Sequence, residues 1–428
     1  MTREIQVDSD WLPSGVPRSI GCLSVEIVRG KESYSFSYDP NWLNNVESRN
    51  LDPDLQWFVG RQYPSAKNQQ GFGIFLDSAP DRWGRVLMQR REAHSARIAN
   101  RQPKKLLESD FLIGVHDEQR LGGIRLRFPD EADYLSHDAS VAAPPWALLR
   151  ELEQASWEIQ SDKELSQKKM SEVLRLLVAP GSSIGGARPK AGIVDQADNL
   201  WIAKFPGRDD DRDVGAWEQV AIELAGRAGV CVSNSRLESF GKRSHRTFLT
   251  QRFDRRLLNG KRKRTHFASA MTLLGYSDGD GASTGASYLE LAQWITQNQL
   301  SVDADLEQLW RRIIFSIMIH NTDDHLRNHG FLLTDNGWRL SPAFDLNPDP
   351  NGTGLALNIS ELDNALDLDL ARQVAPYFRL EKPAAETIIA EVAEAVSHWR
   401  AIATQYDISR AEQNRMQPAF ALLPTRTN

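Results

Sequence analysis

The sequence predicts an α+β protein of two lobes: a mixed α/β N-terminal lobe with an extra N-terminal subdomain, then an all-helical C-terminal lobe. Three observations carry this. Short apolar strands bounded by turn residues, with one helix between them, run through 190–253, and long stretches with helical periodicity dominate beyond residue 285. Residues 128–146 turn acidic, then small, then proline-bearing, which marks a linker after a first unit. The expected division is 1–130 for that subdomain, 147–256 for the core of the small lobe and 257–428 for the helical lobe.

The totals fit this outline. A chain of 428 residues has room for two or three domains, and 41% hydrophobic with 25% charged residues is the composition of a soluble globular protein. A net charge of −6 argues against nucleic-acid binding by bulk electrostatics. Cys22 and Cys231 make no disulfide framework or metal cluster and suit a reducing compartment. No stretch approaches 18 uninterrupted apolar residues, and the first residues, Met-Thr-Arg-Glu-Ile-Gln, lack an apolar signal core. The expectation is a cytoplasmic protein without a membrane partner.

The elements follow in order. Asp77-Ser78-Ala79-Pro80-Asp81-Arg82-Trp83-Gly84-Arg85 opens a basic helix, read as capped and on the surface with Trp83 packed. Residues 147–177 read as helical and stop before Pro180-Gly181. The Ser/Gly-rich segment Gly181 to Lys190 can aim several backbone N–H groups at a phosphate, although an ordinary turn explains it equally well. Two strands follow, Ala191–Val194 and Leu200–Phe205, and apolar neighbours hold Lys204 beside a core. Glu218 stands early in a helix from Ala216 to Ala228 closed by Gly229. A strand lysine followed by a helix glutamate is the order of the pair that orients ATP in kinases. Arg246–Phe253 is a strand at the passage between lobes, where exposed backbone could hold adenine, and Lys261-Arg262-Lys263-Arg264 reads as a solvated loop. Helices are expected at 287–298, 303–319 and 385–404.

The chemistry concentrates in His320-Asn321-Thr322-Asp323-Asp324-His325-Leu326-Arg327-Asn328. An Asp, an Asn five residues later and a second Asp after a hairpin are the parts of a phosphoryl-transfer loop: a base for the hydroxyl proton and two holders of metal. Leu306, Leu309, Trp310, Ile313, Ile314 and Ile317 place this loop at the end of a buried helix, with Ser301, Asp303 and Asp305 as cap and acidic first turn. Asn336-Gly337 signals a hairpin turn. Counting outward, 335 pairs with 338 and 328 with 345, so an unbroken ladder would set Asn328 and Asp345 about 5 Å apart, with Pro342 ending regular pairing early.

These segments resemble the HipA family of bacterial toxin kinases. The similarity lies in Ser183-Ile184-Gly185-Gly186-Ala187-Arg188-Pro189-Lys190, Ile202-Ala203-Lys204-Phe205-Pro206, Gln251-Arg252-Phe253-Asp254-Arg255-Arg256, Thr322 to Asn328 and Leu340 to Asp345, and more loosely around Asp81-Arg82-Trp83-Gly84. The resemblance implies a serine/threonine kinase using ATP and Mg2+, with Asp323 as base, His325 supporting the loop, and Asn328 and Asp345 on magnesium. It implies that Ser183, Ile184, Gly185 and Gly186 cover the ATP phosphates and that Lys204 contacts them, oriented by Glu218. Backbone at Gln251 and Phe253 would hold adenine, and Ser183 or Ser182 would be autophosphorylated. It further implies growth inhibition through a protein substrate in translation, often an aminoacyl-tRNA synthetase, a small helix-turn-helix antitoxin, and operator DNA reached only through that antitoxin. Phe344-Asp345-Leu346 replaces the usual Asp-Phe-Gly, no His-Arg precedes Asp323, and Asp324 stands where the family often has glycine.

Three rival readings use the same residues. A metal-dependent hydrolase would use His320, Asp323, Asp324 and His325 as ligands, a silent kinase-like module would bind a partner without transfer, and a kinase could act on a lipid or small molecule.

Overall fold

Arg29 and Gly30 both adopt left-handed backbone, φ 51° and 75°, the geometry of a two-residue turn whose twist matches its strands. They join β2 (Arg18–Val28) to β3 (Lys31–Tyr38). β1 (Thr2–Ser9), β4 (Arg61–Gln62) and β5 (Ile124–Arg127) complete an antiparallel sheet in the order β4-β3-β2-β1-β5. Ile5, Leu23 and Phe36 face one another across β1, β2 and β3, and all three are buried. The computed structural model describes residues 2–45, 49–65, 71–137, 143–161, 165–178, 186–240, 245–298 and 301–422.

The chain gathers into two compact units, one of 1–209 with 254–268 and 275–277, the other of 210–253, 269–274 and 278–428. The sequence boundaries at 130, 147 and 256 follow the order of motifs, whereas these units follow contact.

In the first unit, Asp81 caps α1 (Arg82–Ile98), its Oδ1 accepting the Gly84 N–H at 2.7 Å. The single helix expected over 147–177 is two, α2 (Leu149–Ile159) and α3 (Gln167–Leu177), because Ser166 starts the second with a side-chain cap on Lys169 N. β6 (Lys190–Val194) and β7 (Leu200–Lys204) form an antiparallel hairpin with Lys190 directly opposite Lys204. Asp254 and Arg255 lock onto the N-terminal subdomain: Asp254 Oδ2 accepts the Gly122 N–H at 2.8 Å, and Arg255 donates to the carbonyls of Gly122 and Arg120. The basic run at 261–264 is a strand, not a loop, and Arg264 at its end is buried against Asp117 Oδ2 at 2.8 Å.

The second unit holds the ladder of β8 (Ser235–Glu238) and β9 (Thr247–Gln251), and α4 (Val214–Arg227), α5 (Tyr288–Asn298), α6 (Val302–Met318), α7 (Lys382–Ser397) and α8 (Trp399–Gln405). The helix expected over 385–404 is thus divided at His398. Every apolar residue that marked α6 in the sequence is fully buried. Its start differs from expectation: Ser301 makes no side-chain cap bond. Asp305 is buried and binds the Arg339 guanidinium through both oxygens at 2.9 Å while accepting the Leu340 N–H at 3.0 Å. It ties the helix to the hairpin that follows the loop. Among the described residues no helix is long and apolar enough to cross a membrane.

Candidate active site

The loop after α6 begins with a reversal. His320 takes φ 49°, which turns the chain out of the helix, and the buried Asn321 bridges the break: its N–H returns to Ser316 O at 2.8 Å while its Oδ1 accepts Asn347 N–H at 3.1 Å. Thr322 leans on Asp349, whose own N–H binds His320 O at 3.0 Å. A Cβ on Gly352 would come within 2.2 Å of Thr322 Cγ2, so the approach of 352 to the residue before Asp323 requires glycine.

Adjacent carboxylates then diverge. Asp324 turns into the core, where Tyr288 Oη donates to it at 2.6 Å, Ser316 Oγ at 3.2 Å, and His329 Nε2 sits 3.0 Å from its other oxygen. Burial alone drives its pKa up, but His329 and the Tyr288 bond outweigh burial and hold it below the ordinary carboxylate value. Asp323 stays open to solvent on one side, yet desolvation pushes its carboxyl above the ordinary value. His325 opposes that rise, and the negative charge of Asp345 adds to it.

Asn328 lies in a short 3-10 turn, and its Nδ2 donates to Asp323 O at 2.8 Å. The amide oxygen is thereby the end left to meet a cation. The hairpin that follows has another register than the one counted from the sequence. β10 (Gly330–Thr334) pairs with β11 (Gly337–Leu340) as Thr334 opposite Gly337 and Phe331 opposite Leu340. Only Gly337 is left-handed, φ 89°, while Asp335 and Asn336 are not, so the turn is a right-handed one closed by a left-handed glycine. The ladder stops after Ser341 N–H meets Gly330 O at 2.8 Å, just before Pro342. Asp345 itself takes left-handed backbone, φ 55°, a conformation costly for a non-glycine residue and frequent at functional sites. Ala343 N–H is anchored to Cys231 O at 2.8 Å, and the rings of Phe344 and Phe253 meet with centroids 5.5 Å apart.

The donor set suits magnesium, which takes few protein ligands, carboxylate or carbonyl oxygens, and completes its shell with water and phosphate. The hydrolase cluster does not assemble: Asp324 is committed to Tyr288, Ser316 and His329, and among the described residues no group of three or more His, Cys, Asp or Glu is arranged to hold a metal.

Other candidates are placed as follows. Glu218 is buried in the second turn of α4 rather than its first. Gln251 gives its N–H to Asn234 O at 2.9 Å, so a contact with adenine falls to its carbonyl. Lys204 ends β7, and Gly186 is exposed with φ 92°. Ser182, Ser183, Ile184 and Gly185 lie outside the described residues. Sequence reasoning missed the inward role of Asp324 and the need for Gly352. Asp324 had a signal, a His five residues on, but nothing in spacing distinguishes an inward acid from an outward one.

Residues 182–399 match the family model described as HipA-like C-terminal domain. A putative kinase of Haemophilus influenzae is 27% identical over 197 residues, 41% of this chain and 57% of that protein. The serine/threonine-protein kinase toxin HipA of Shewanella oneidensis is 24% identical over 143 residues, 30% of this chain and 33% of that protein. The matched segments thus span 57% and 33% of these curated relatives. The solved structure of the Shewanella oneidensis toxin–antitoxin complex of HipA, HipB and its operator DNA superposes with a TM-score of 0.67 at 16% identity, covering 97% of this chain and 96% of that one. The α+β kinase-like fold is shared with it.

Proposed function

The chain belongs to the HipA-like C-terminal domain family, and on that premise we propose that it is an ATP-dependent serine/threonine protein kinase. What supports this reading most is Asp323, whose carboxyl is raised by desolvation and by the negative charge of Asp345, with the Asn328 amide tethered to the Asp323 carbonyl. In the proposed reaction the substrate hydroxyl oxygen attacks the γ-phosphorus, Asp323 Oδ accepts the hydroxyl proton, and the bond to the β-phosphate oxygen breaks to release ADP. Magnesium, held by Asn328 and Asp345, would neutralise phosphate charge. Lys204 binds ATP phosphates with Glu218 orienting it, the Gln251 carbonyl and Phe253 backbone hold adenine, and His325 supports the loop.

Ser183, or Ser182, is the proposed site of autophosphorylation, and Ser183, Ile184, Gly185 and Gly186 the phosphate cover. The proposed role is that of a growth-inhibiting toxin acting on a protein of the translation machinery in the cytoplasm. The solved relative in complex with HipB and operator DNA supports a small helix-turn-helix antitoxin as partner, with DNA engaged through it.

Transfer of radiolabel from γ-labelled ATP to the protein itself tests the core of this reading. The wild type should incorporate label, and Asp323→Gln should lose about a thousandfold or more in rate. A folded Asp323→Gln chain labelling at the wild-type rate refutes it.

A further inference from the structure

Two lysines stand directly opposite each other in the β6–β7 hairpin, Lys190 and Lys204. Opposed residues of an antiparallel pair project from the same face, and like charges placed so destabilise the pair. Lys190 is also buried, with 2% of its side chain exposed, where an uncompensated ammonium is not tolerated. Its compensation comes from the N-terminal subdomain: Asp81 Oδ2 lies 3.0 Å from Nζ and is itself 5% exposed. The other oxygen of that carboxylate caps α1, so the acid is fixed by the helix it starts. Trp83, two residues on, donates its indole N–H to the backbone carbonyl of Lys190 at 3.1 Å. The segment Asp81–Trp83 thus grips Lys190 twice, by its charge and by its main chain. From the same ammonium a weaker bond runs to Gly186 O at 3.5 Å, and Phe205 N–H meets Pro189 O at 2.8 Å beside it.

We propose that Asp81 and Trp83 are positioning residues for the phosphate end of a bound nucleotide, acting through Lys190 on the strand pair that carries Lys204. This rests on reading Lys204 as the ATP-phosphate lysine. It gives residues 1–130 a task in nucleotide handling: Asp81 cancels the second lysine charge on that face and sets the start of β6. Loss of the grip therefore affects phosphate binding and leaves the adenosine end alone.

Calorimetric titration of the full chain with ATP and, separately, with adenosine tests this. Asp81→Asn should weaken ATP binding about tenfold or more with adenosine affinity unchanged, and Asp81→Glu should recover most of the loss. Trp83→Phe keeps an aromatic side chain, though a smaller one, and removes the indole N–H, so it carries the test if Asp81→Asn does not fold; its loss should be smaller and again confined to ATP. Unchanged ATP affinity in a folded variant, or equal losses for ATP and adenosine, overturns the proposal alone. A wild type that binds neither ligand overturns this proposal together with the kinase reading.

Discussion

Asp117 and Asp323 both meet desolvation, and they end in opposite states. Around Asp117 in the first unit, burial is outweighed by Arg264 at 2.8 Å and Arg125 at 2.6 Å, so its carboxyl is held below the ordinary value. Around Asp323 in the second, the nearest charges include two more acids, and the carboxyl is held above it. The first arrangement neutralises charge to build structure. The second leaves unfavourable charge uncompensated, a pattern common at functional sites and in keeping with the proposed base. Asp324 shows how local the difference is: one residue from Asp323, it is satisfied like Asp117.

Breaking the scaffold side should cost most. Asp117→Asn takes the nearest carboxylate from two guanidinium groups and leaves them the longer pairs to Asp10 and Glu118, so chemical unfolding should show a loss of about 3 kcal/mol, while phosphoryl transfer per folded molecule stays close to wild type. Next, Asp324→Asn removes the carboxylate that accepts from Tyr288 and Ser316 and faces His329 Nε2, for about 1.5–3 kcal/mol. Unlike Asp117→Asn it should also slow transfer, because it loosens the loop that carries Asp323. Gly352→Ala drives a methyl into Thr322 and should lower kcat about tenfold with ATP affinity kept, separating orientation from binding in steady-state kinetics.

A smaller effect is expected at His266, fully buried and stacked on Trp11 with its pKa pushed down by burial to about 3. Its folded pKa is below the unfolded one, so its contribution is complete above about pH 6.5 and is lost as pH falls from there towards 3. His266→Phe should flatten the acid limb of melting temperature between pH 7 and 5. Smallest is the stability gain of Asp323→Asn. A raised carboxyl favours folding below its unfolded pKa and loses that as pH rises through the folded one. Replacing it should therefore lift the melting temperature at pH 8 in chelator by about 1–3 °C, with the gain gone near pH 4. The same substitution at 117 should lower the melting temperature at pH 8.

The sequence made α6 legible because burial leaves a 3.6-residue signature, and all six marked positions are buried. The loop residues were legible because phosphoryl transfer constrains residue type and spacing. Register was not: the Asn-Gly pair suggested one turn, and the choice of Gly337 alone as left-handed shifted the ladder by two residues. The pairings of Asp305 with Arg339 and of Asp81 with Lys190 join segments 34 and 109 residues apart, and no local pattern encodes such partners. The burial of Arg264 escaped notice for the same reason, since its acid lies 147 residues away.

The central claim is that Asp345 and Asn328 hold a cation against the phosphates beside Asp323. Titration of ATP with and without magnesium, into wild type and into Asp345→Asn, tests it directly. Magnesium should tighten ATP binding to the wild type and have no effect on the affinity of Asp345→Asn; a magnesium dependence that survives the substitution contradicts the account.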